Sequence, residues 1–161
     1  MEIERRWALE NFSRPESGFF DHRTIYQWYL LACGEGQVRV SKTIMHFNND
    51  DVRYTLNIKH GNGLSREEVK IQITYEQFRE LIAQCGDRKP IKKEFWGFKI
   101  AADRELEVSC VDDSWWYCEV EFDSAAEAES FDLYATCNIL AVDKTDDDSY
   151  AMKNYWLRTR G

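Results

Sequence analysis

The sequence predicts an α+β protein built on a mainly antiparallel β-structure of eight strands with a few flanking helices. Three observations carry that expectation. Turn-forming residues recur at hairpin spacing along most of the chain. Between them, polar and apolar residues alternate, as the two faces of a strand require. Three further segments follow helix-capping residues. At 161 residues the chain is most simply one domain, 1–161, long enough to bury a core.

The first strand opens at Glu2. Along it Glu2, Glu4 and Arg6 share one face, and Ile3, Arg5 and Trp7 the other. Gly34-Glu35-Gly36 turns Ile25–Cys33 into Gln37–Phe47, and Asn48-Asn49-Asp50-Asp51 turns that strand into Val52–His60. Gly61-Asn62-Gly63 then leads into Glu67–Thr74, Asn-Gly being a strong hairpin signal. A helix is expected over Tyr75–Cys85, because Thr74 and Gln77 form a T-x-x-Q capping box and Gly86 suits the C-terminal cap. Lys92–Ile100 turns at Ala101-Ala102-Asp103 into Arg104–Val111, and Asp112-Asp113-Ser114 turns that strand into Trp115–Asp123. Ser124 and Glu127 make an S-x-x-E box for a helix over Ala125–Ala135. The acidic run Asp146-Asp147-Asp148 complements the N-terminus of a last helix, Ser149–Arg158.

The strands keep one parity polar. Arg39 and Ser41 oppose Val38 and Val40; Asn57 and Lys59 oppose Leu56 and Ile58; Glu68 and Lys70 oppose Val69 and Ile71. Glu107 and Ser109 oppose Val108 and Cys110, and Glu119 and Glu121 oppose Val120 and Phe122. Two arrangements satisfy this pattern. One is an open sheet, wet on one face and covered by helices on the other, which the pattern alone favours slightly. The other is a closed barrel with a polar lumen, for which eight strands suffice. In either case acids gather on the first, fifth, seventh and eighth strands, and bases on the first, third, fourth and sixth. Such walls suit a metal-bound polyanion.

Composition narrows the function. A hydrophobic fraction of 43% excludes a disordered chain. A net charge of −8 argues against binding a nucleic-acid duplex, which calls for a basic footprint. No apolar run reaches membrane-spanning length and no leader pattern is seen, so no membrane association is expected. The five cysteines lack metal-site spacing and fit reduced thiols in a cytoplasmic protein. His22, His46 and His60 share no ligand spacing and read as surface or packing residues. The His60-Gly61-Asn62-Gly63 stretch reads as a hairpin turn, and no phosphate-loop or dinucleotide fingerprint is present.

These motifs bring a family into view. Glu2-Ile3-Glu4-Arg5-Arg6 resembles the E-x-E-x-K mark of the CYTH, or triphosphate tunnel metalloenzyme, superfamily. The likeness continues in order through Tyr29-Leu30, Val38-Arg39-Val40, Leu56-Asn57-Ile58-Lys59, Gly63-Leu64-Ser65-Arg66-Glu67-Glu68, Lys93, Leu106-Glu107-Val108 and Cys118-Glu119-Val120-Glu121-Phe122. Asp146, Tyr150 and Asn154 are loosely similar to its D-x-x-Y-x-N ending. The resemblance implies an eight-stranded closed barrel, the triphosphate tunnel. It also implies Mg²⁺- or Mn²⁺-dependent hydrolysis of inorganic triphosphate or of a small organic triphosphate such as thiamine triphosphate or a nucleotide. Glu2, Glu4, Glu119 and Glu121 would hold the metal. Arg6, Arg39, Lys59 and Lys93 would bind phosphate, and Glu68 and Glu107 would serve a second metal or activate water.

The departures from that pattern matter equally. Arg6 stands where the motif has Lys, and it cannot give up a proton to act as a base. Ser41, Phe95 and Gly97 fall where members carry further bases, Lys70, Gln72 and Ser109 where acids continue, and Met152 interrupts the closing pattern. Two other outcomes therefore stand beside hydrolysis: an adenylyl cyclase of the class IV type, and a non-catalytic receptor for a nucleotide or polyphosphate. A monomer and a homodimer are equally compatible with the sequence.

Overall fold

Hairpin chemistry sets the order of the strands, and one long-range pairing closes them. The structure is a computed structural model that describes residues 1–101 and 103–161. Its strands are β1 (Glu2–Leu9), β2 (Asp21–Cys33), β3 (Gly36–Met45), β4 (Asp51–His60), β5 (Ser65–Gln72), β6 (Ile91–Lys99), β7 (Glu105–Val111), β8 (Trp115–Glu121) and a short β9 (Val142–Asp143). The sheet runs β5-β4-β3-β2-β6-β7-β8-β1, and β1 pairs back to β5. Every pairing is antiparallel.

Closure is brief. Glu2 faces Arg66 and Ile3 faces Ser65, with the Glu4 N–H donating to the Leu64 carbonyl. Further along the same edge of β1, β9 takes over opposite Trp7 and Ala8. The open sheet that the alternation alone favoured is thus replaced by a barrel, because β1 has partners on both edges. Closing the sheet removes two exposed edges and turns the wet face inward.

The apolar parity faces out, and helices cover part of it; Ile58 of β4 and Val69 and Ile71 of β5 stay exposed. Trp7, Leu9, Leu106, Val108, Val120 and Phe122 pack beneath α2 (Ala125–Ser130) and α3 (Leu133–Cys137). A second cluster lies on the lumen side: Tyr29, Ile91, Val111 and Tyr117 share the inward parity and receive Met152 and Trp156 of α4 (Met152–Arg160). Helix α1 (Tyr75–Ala83) has both hydrogen bonds of the Thr74–Gln77 capping box. No helix of the described residues is long and apolar enough to cross a membrane.

Three expectations need correction or fall outside. The helix expected over Ala125–Ala135 breaks after Ser130. Phe131 is extended there and packs its ring against Trp7 and Phe122, while Asp132 recaps the chain by accepting from the Ala135 N–H at 3.0 Å. The last helix starts at Met152 rather than Ser149. Asp147 caps only a single turn at Asp148–Tyr150, and the extended Ala151 separates that turn from α4. The turn at Ala101-Ala102-Asp103 includes Ala102, which lies outside the described residues.

Candidate functional site

Because strand side chains alternate, every second residue around the barrel enters its lumen. The resulting cavity measures about 290 Å³, near the lower end of small-ligand pockets, roughly 300 Å³. Eight acidic and eight basic side chains line it, in a protein whose net charge is −8. All ten residues singled out from the sequence are there: Glu2, Glu4, Arg6, Arg39, Lys59, Glu68, Lys93, Glu107, Glu119 and Glu121. So are the departures Ser41, Lys70, Phe95 and Met152.

Several lining residues were not anticipated. Arg66 shares the parity of Glu68 and Lys70, so that alternation was the signal for it. Arg23 enters because β2 begins four residues before the expected start. Tyr117, which follows Trp115 and Trp116 on β8, also lines the lumen. Lys153 comes from α4, where strand alternation offers no signal.

Most charges inside are paired. Lys59 Nζ donates to both carboxylate oxygens of Glu2, at 3.1 and 3.0 Å, and lies 3.6 Å from Glu68. Asn57 Nδ2 donates to Glu68 at 2.8 Å. Arg66 pairs with Glu4 and, at 3.3 Å, with Glu2. Arg6 Nε donates to Glu119 at 2.7 Å; its other nitrogens reach Glu4 at 3.3 Å and the Tyr150 carbonyl at 3.0 Å.

Others are not. Among the described residues, Arg39, Lys70, Lys93, Glu107, Glu121 and Asp148 form no salt bridge, and Lys153 meets only uncharged oxygens. Lys93 is buried, with its Nζ 5.3 Å from the centroid of the Tyr117 ring, and Arg39 Nε is buried without a hydrogen-bond partner.

The electrostatics follow from this placement. Burial, reinforced by the Glu119 carboxylate, pushes Glu107 up to about 8. Burial also raises Glu4, with Glu119 adding to it, and raises Glu121, with Glu2 adding to it. Glu119 goes the other way: burial opposes ionisation, yet Arg6 and Lys93 hold it down at about 2. Burial lowers Lys59 and Lys93, with Arg39 adding to both. The lumen thus contains one fully ionised acid, one acid protonated at neutral pH, and ammonium groups made more acidic than usual.

Both ends of the barrel carry covering groups. At one, Lys153 Nζ donates to the Gly34 carbonyl at 2.5 Å and to Asn62 Oδ1 at 3.0 Å, tying α4 to the β2–β3 and β4–β5 turns. Toward the other, the Phe20 ring lies over Gly97, where a Cβ would come within 3.0 Å of it. Gly97 therefore leaves no room for the basic residue that the family pattern carries.

A closed eight-stranded antiparallel barrel is the fold that the sequence resemblance implied, so the likeness holds at the level of the fold. Among solved structures, the chain is similar to the inorganic triphosphatase NE1496, at 22% identity and a TM-score of 0.64 over 100% of this chain and 97% of that one. It is also similar to the Hippeastrum protein HpAC1, studied as an adenylyl cyclase and showing a dominant triphosphatase activity. There the identity is 12% and the TM-score 0.60 over 80% of this chain and 83% of that one. The Pyrococcus horikoshii protein PH1819 superposes with a TM-score of 0.59 at 14% identity, over 80% and 82% of the two chains. No protein-family model and no curated protein sequence matches the chain.

Proposed function

We propose that the chain is a divalent-metal-dependent hydrolase of a triphosphate-containing small molecule, with inorganic triphosphate or a small organic triphosphate ahead of nucleotides. The observation that carries this reading is the set of lumen side chains without an ion-pair partner, Arg39, Lys70 and Lys93 among the bases and Glu107 and Glu121 among the acids. A lumen built only for stability would pair buried cations such as Arg39 and Lys93 with carboxylates, because an uncompensated enclosed charge is costly. Free cations beside acids in one cavity, Glu107 among them uncharged at neutral pH, are instead complementary to an anion that brings its own cation. The solved structures named above supply the same reading from the side of the fold.

The donor set fits Mg²⁺ or Mn²⁺, since hard carboxylate oxygens suit both ions. Glu2, Glu4, Glu119 and Glu121 would hold the ion, with Glu68 and Glu107 serving a second one or the attacking water. When bound, such an ion supplies charge neutralisation at phosphate oxygens and a more acidic water. Arg39 and Lys93 are free to take phosphate oxygens directly. Lys59 and Arg6 would follow by exchanging Glu2 and Glu119 for phosphate, which releases those carboxylates at the same moment. Arg6 stays charged throughout and acts as a clamp, not as a base. Glu107 can hold or release a proton near neutral pH, as a proton-transfer group must.

Phosphate release from a panel of triphosphates, with Mg²⁺ and with Mn²⁺, tests the proposal. Turnover of inorganic or small organic triphosphate is the expected result, and cyclic product from a nucleotide would show a cyclase. Tight binding without turnover of any compound would favour the second reading, a non-catalytic receptor. The observation on that side is the Phe20 ring occupying the space over Gly97.

A further inference from the structure

Outside the barrel, on the face that β2 and β6 turn away from the lumen, three chemically matched side chains meet. His22 lies on β2, Glu94 on β6, and His46 directly follows β3. One ligand atom from each lies within 4.8 Å of the other two. No strand carries two of the three, so spacing along the sequence shows no ligand motif. None of them lines the lumen.

The local geometry favours a metal ligand set over chance proximity. His22 Nε2 is 3.1 Å from one oxygen of Glu94, and the His22 ring lies flat against Trp96, at 5.1 Å and 6°, which holds its plane. Thr24 Oγ1 sits 3.0 Å from the other Glu94 oxygen and 2.8 Å from His46 Nε2. His46 Nδ1 is 2.7 Å from Asp50, a carboxylate that can only accept. That bond places the His46 proton on Nδ1 and aims the Nε2 lone pair at the cluster. A carboxylate behind an imidazole is the outer-shell arrangement that orients histidine ligands on metals.

Counting hydrogens sharpens the point. The Thr24 hydroxyl carries one, and two acceptors, His46 Nε2 and Glu94, compete for it. With a neutral His46 one acceptor goes without that hydrogen. Lys92 Nζ, 3.9 Å from the same Glu94 oxygen, balances the carboxylate from one side, and a second proton on His46 or a metal ion would satisfy the Nε2 side. A proton on His46 leaves His22 no part in the cluster beyond one hydrogen bond, whereas a metal uses all three groups. We propose that His22, His46 and Glu94 form a site for a divalent transition metal, separate from the lumen, with Zn²⁺ best suited to two imidazoles and a carboxylate. Zn–N bonds of about 2.0–2.1 Å put tetrahedral ligand atoms roughly 3.4 Å apart, so binding leaves the His22–Glu94 pair nearly in place and draws His46 toward it. The fourth position falls to water. The ion would tie the β3–β4 turn to β2 and β6 and release the protons it replaces.

The test uses the full-length protein after stripping with a chelator. Zn²⁺ should move the imidazole ¹⁵N resonances of His22 and His46 and leave His60 in place, while Mg²⁺ moves none of them. Co²⁺ should give a tetrahedral visible spectrum that persists in Glu119→Gln and Glu121→Gln, the lumen variants, and disappears in His22→Gln and His46→Gln. Asp50→Asn, at an exposed turn position that folding tolerates, should weaken Zn²⁺ binding about 10- to 100-fold. The proposal fails if both histidine variants bind Zn²⁺ as the unaltered chain does. It also fails if the His22 and His46 resonances ignore excess Zn²⁺ and respond only to pH, which would make the cluster a proton site.

Discussion

Glu107 shows at the scale of one residue how enclosure alters a carboxyl group. Its proton leaves the folded chain at about pH 8 and the unfolded chain near 4.5. Between those values the folded state binds more protons, so stability is fully present at low pH and falls as pH rises through 8. Glu119 acts in the opposite sense, contributing stability above its unfolded value that is lost as pH drops toward 2. The melting temperature of the ligand-free chain should therefore decline from about pH 5 to pH 8. Glu107→Gln should flatten that decline and gain about 1–3 kcal/mol at pH 8, as thermal scans across pH will show. The free and paired cations should also part company. Arg39→Met and Lys93→Met should each weaken triphosphate binding by about 1.5–3 kcal/mol; Arg39→Met should leave the ligand-free protein as stable or more so, while Lys93→Met also gives up the attraction that helps hold Glu119 ionised. Arg6→Met strands Glu119 inside the barrel and should cost about 3–5 kcal/mol of stability. Calorimetric titration beside denaturant unfolding separates the two patterns.

At the scale of elements, local chemistry and packing divide the work. The Thr74–Gln77 box caps α1 as its residues demand, because both of its hydrogen bonds are local. The Ser124 cap starts α2 in the same way, yet the helix ends after one and a half turns, where Phe131 is drawn into the aromatic contact with Trp7 and Phe122. Helix α4 lies at the other extreme. It has no side-chain cap, and its place depends on Trp156, Met152 and the Lys153 ammonium bonded to two turns. Lys153→Met should remove about 1.5–3 kcal/mol and speed amide exchange in α4 before the barrel strands, since hydrogen bonds to a charged donor are lost at the helix's only polar anchor to those turns. Uniform exchange rates across α4 and β2 in that variant would show that the helix does not depend on this contact.

For the whole molecule, the lumen's internal ion pairs predict cooperation between metal and triphosphate. In the ligand-free barrel Glu2, Glu4 and Glu119 are held by Lys59, Arg66 and Arg6, so a metal alone must compete with bound cations, and a triphosphate alone with bound acids. Added together, each frees the groups the other needs. Mn²⁺ with triphosphate should raise the melting temperature by more than the sum of the two separate shifts, the excess at saturation being their coupling free energy, about 1–3 kcal/mol. Glu4→Gln and Glu121→Gln should shrink that margin. Simple additivity in the unaltered chain would remove partner exchange from the proposed mechanism.

Read alone, the residues determine the strands, the capping boxes and the parity that separates polar from apolar faces, since each depends on neighbours two to four positions away. The family resemblance picked the ten expected site residues out of the polar parity, and that parity also held the signal for Arg66. Whether the sheet stays open or closes is decided elsewhere, by the pairing of Glu2 and Ile3 with residues more than sixty positions downstream. The same distance hid the partners inside the lumen. That Arg6 bonds Glu119 while Lys93 acts on it only from beyond salt-bridge distance, or that His22, His46 and Glu94 meet on three separate segments, depends on which strands lie side by side. Hydrogen-bond geometry and burial are properties of that arrangement, and only the tertiary structure contains it.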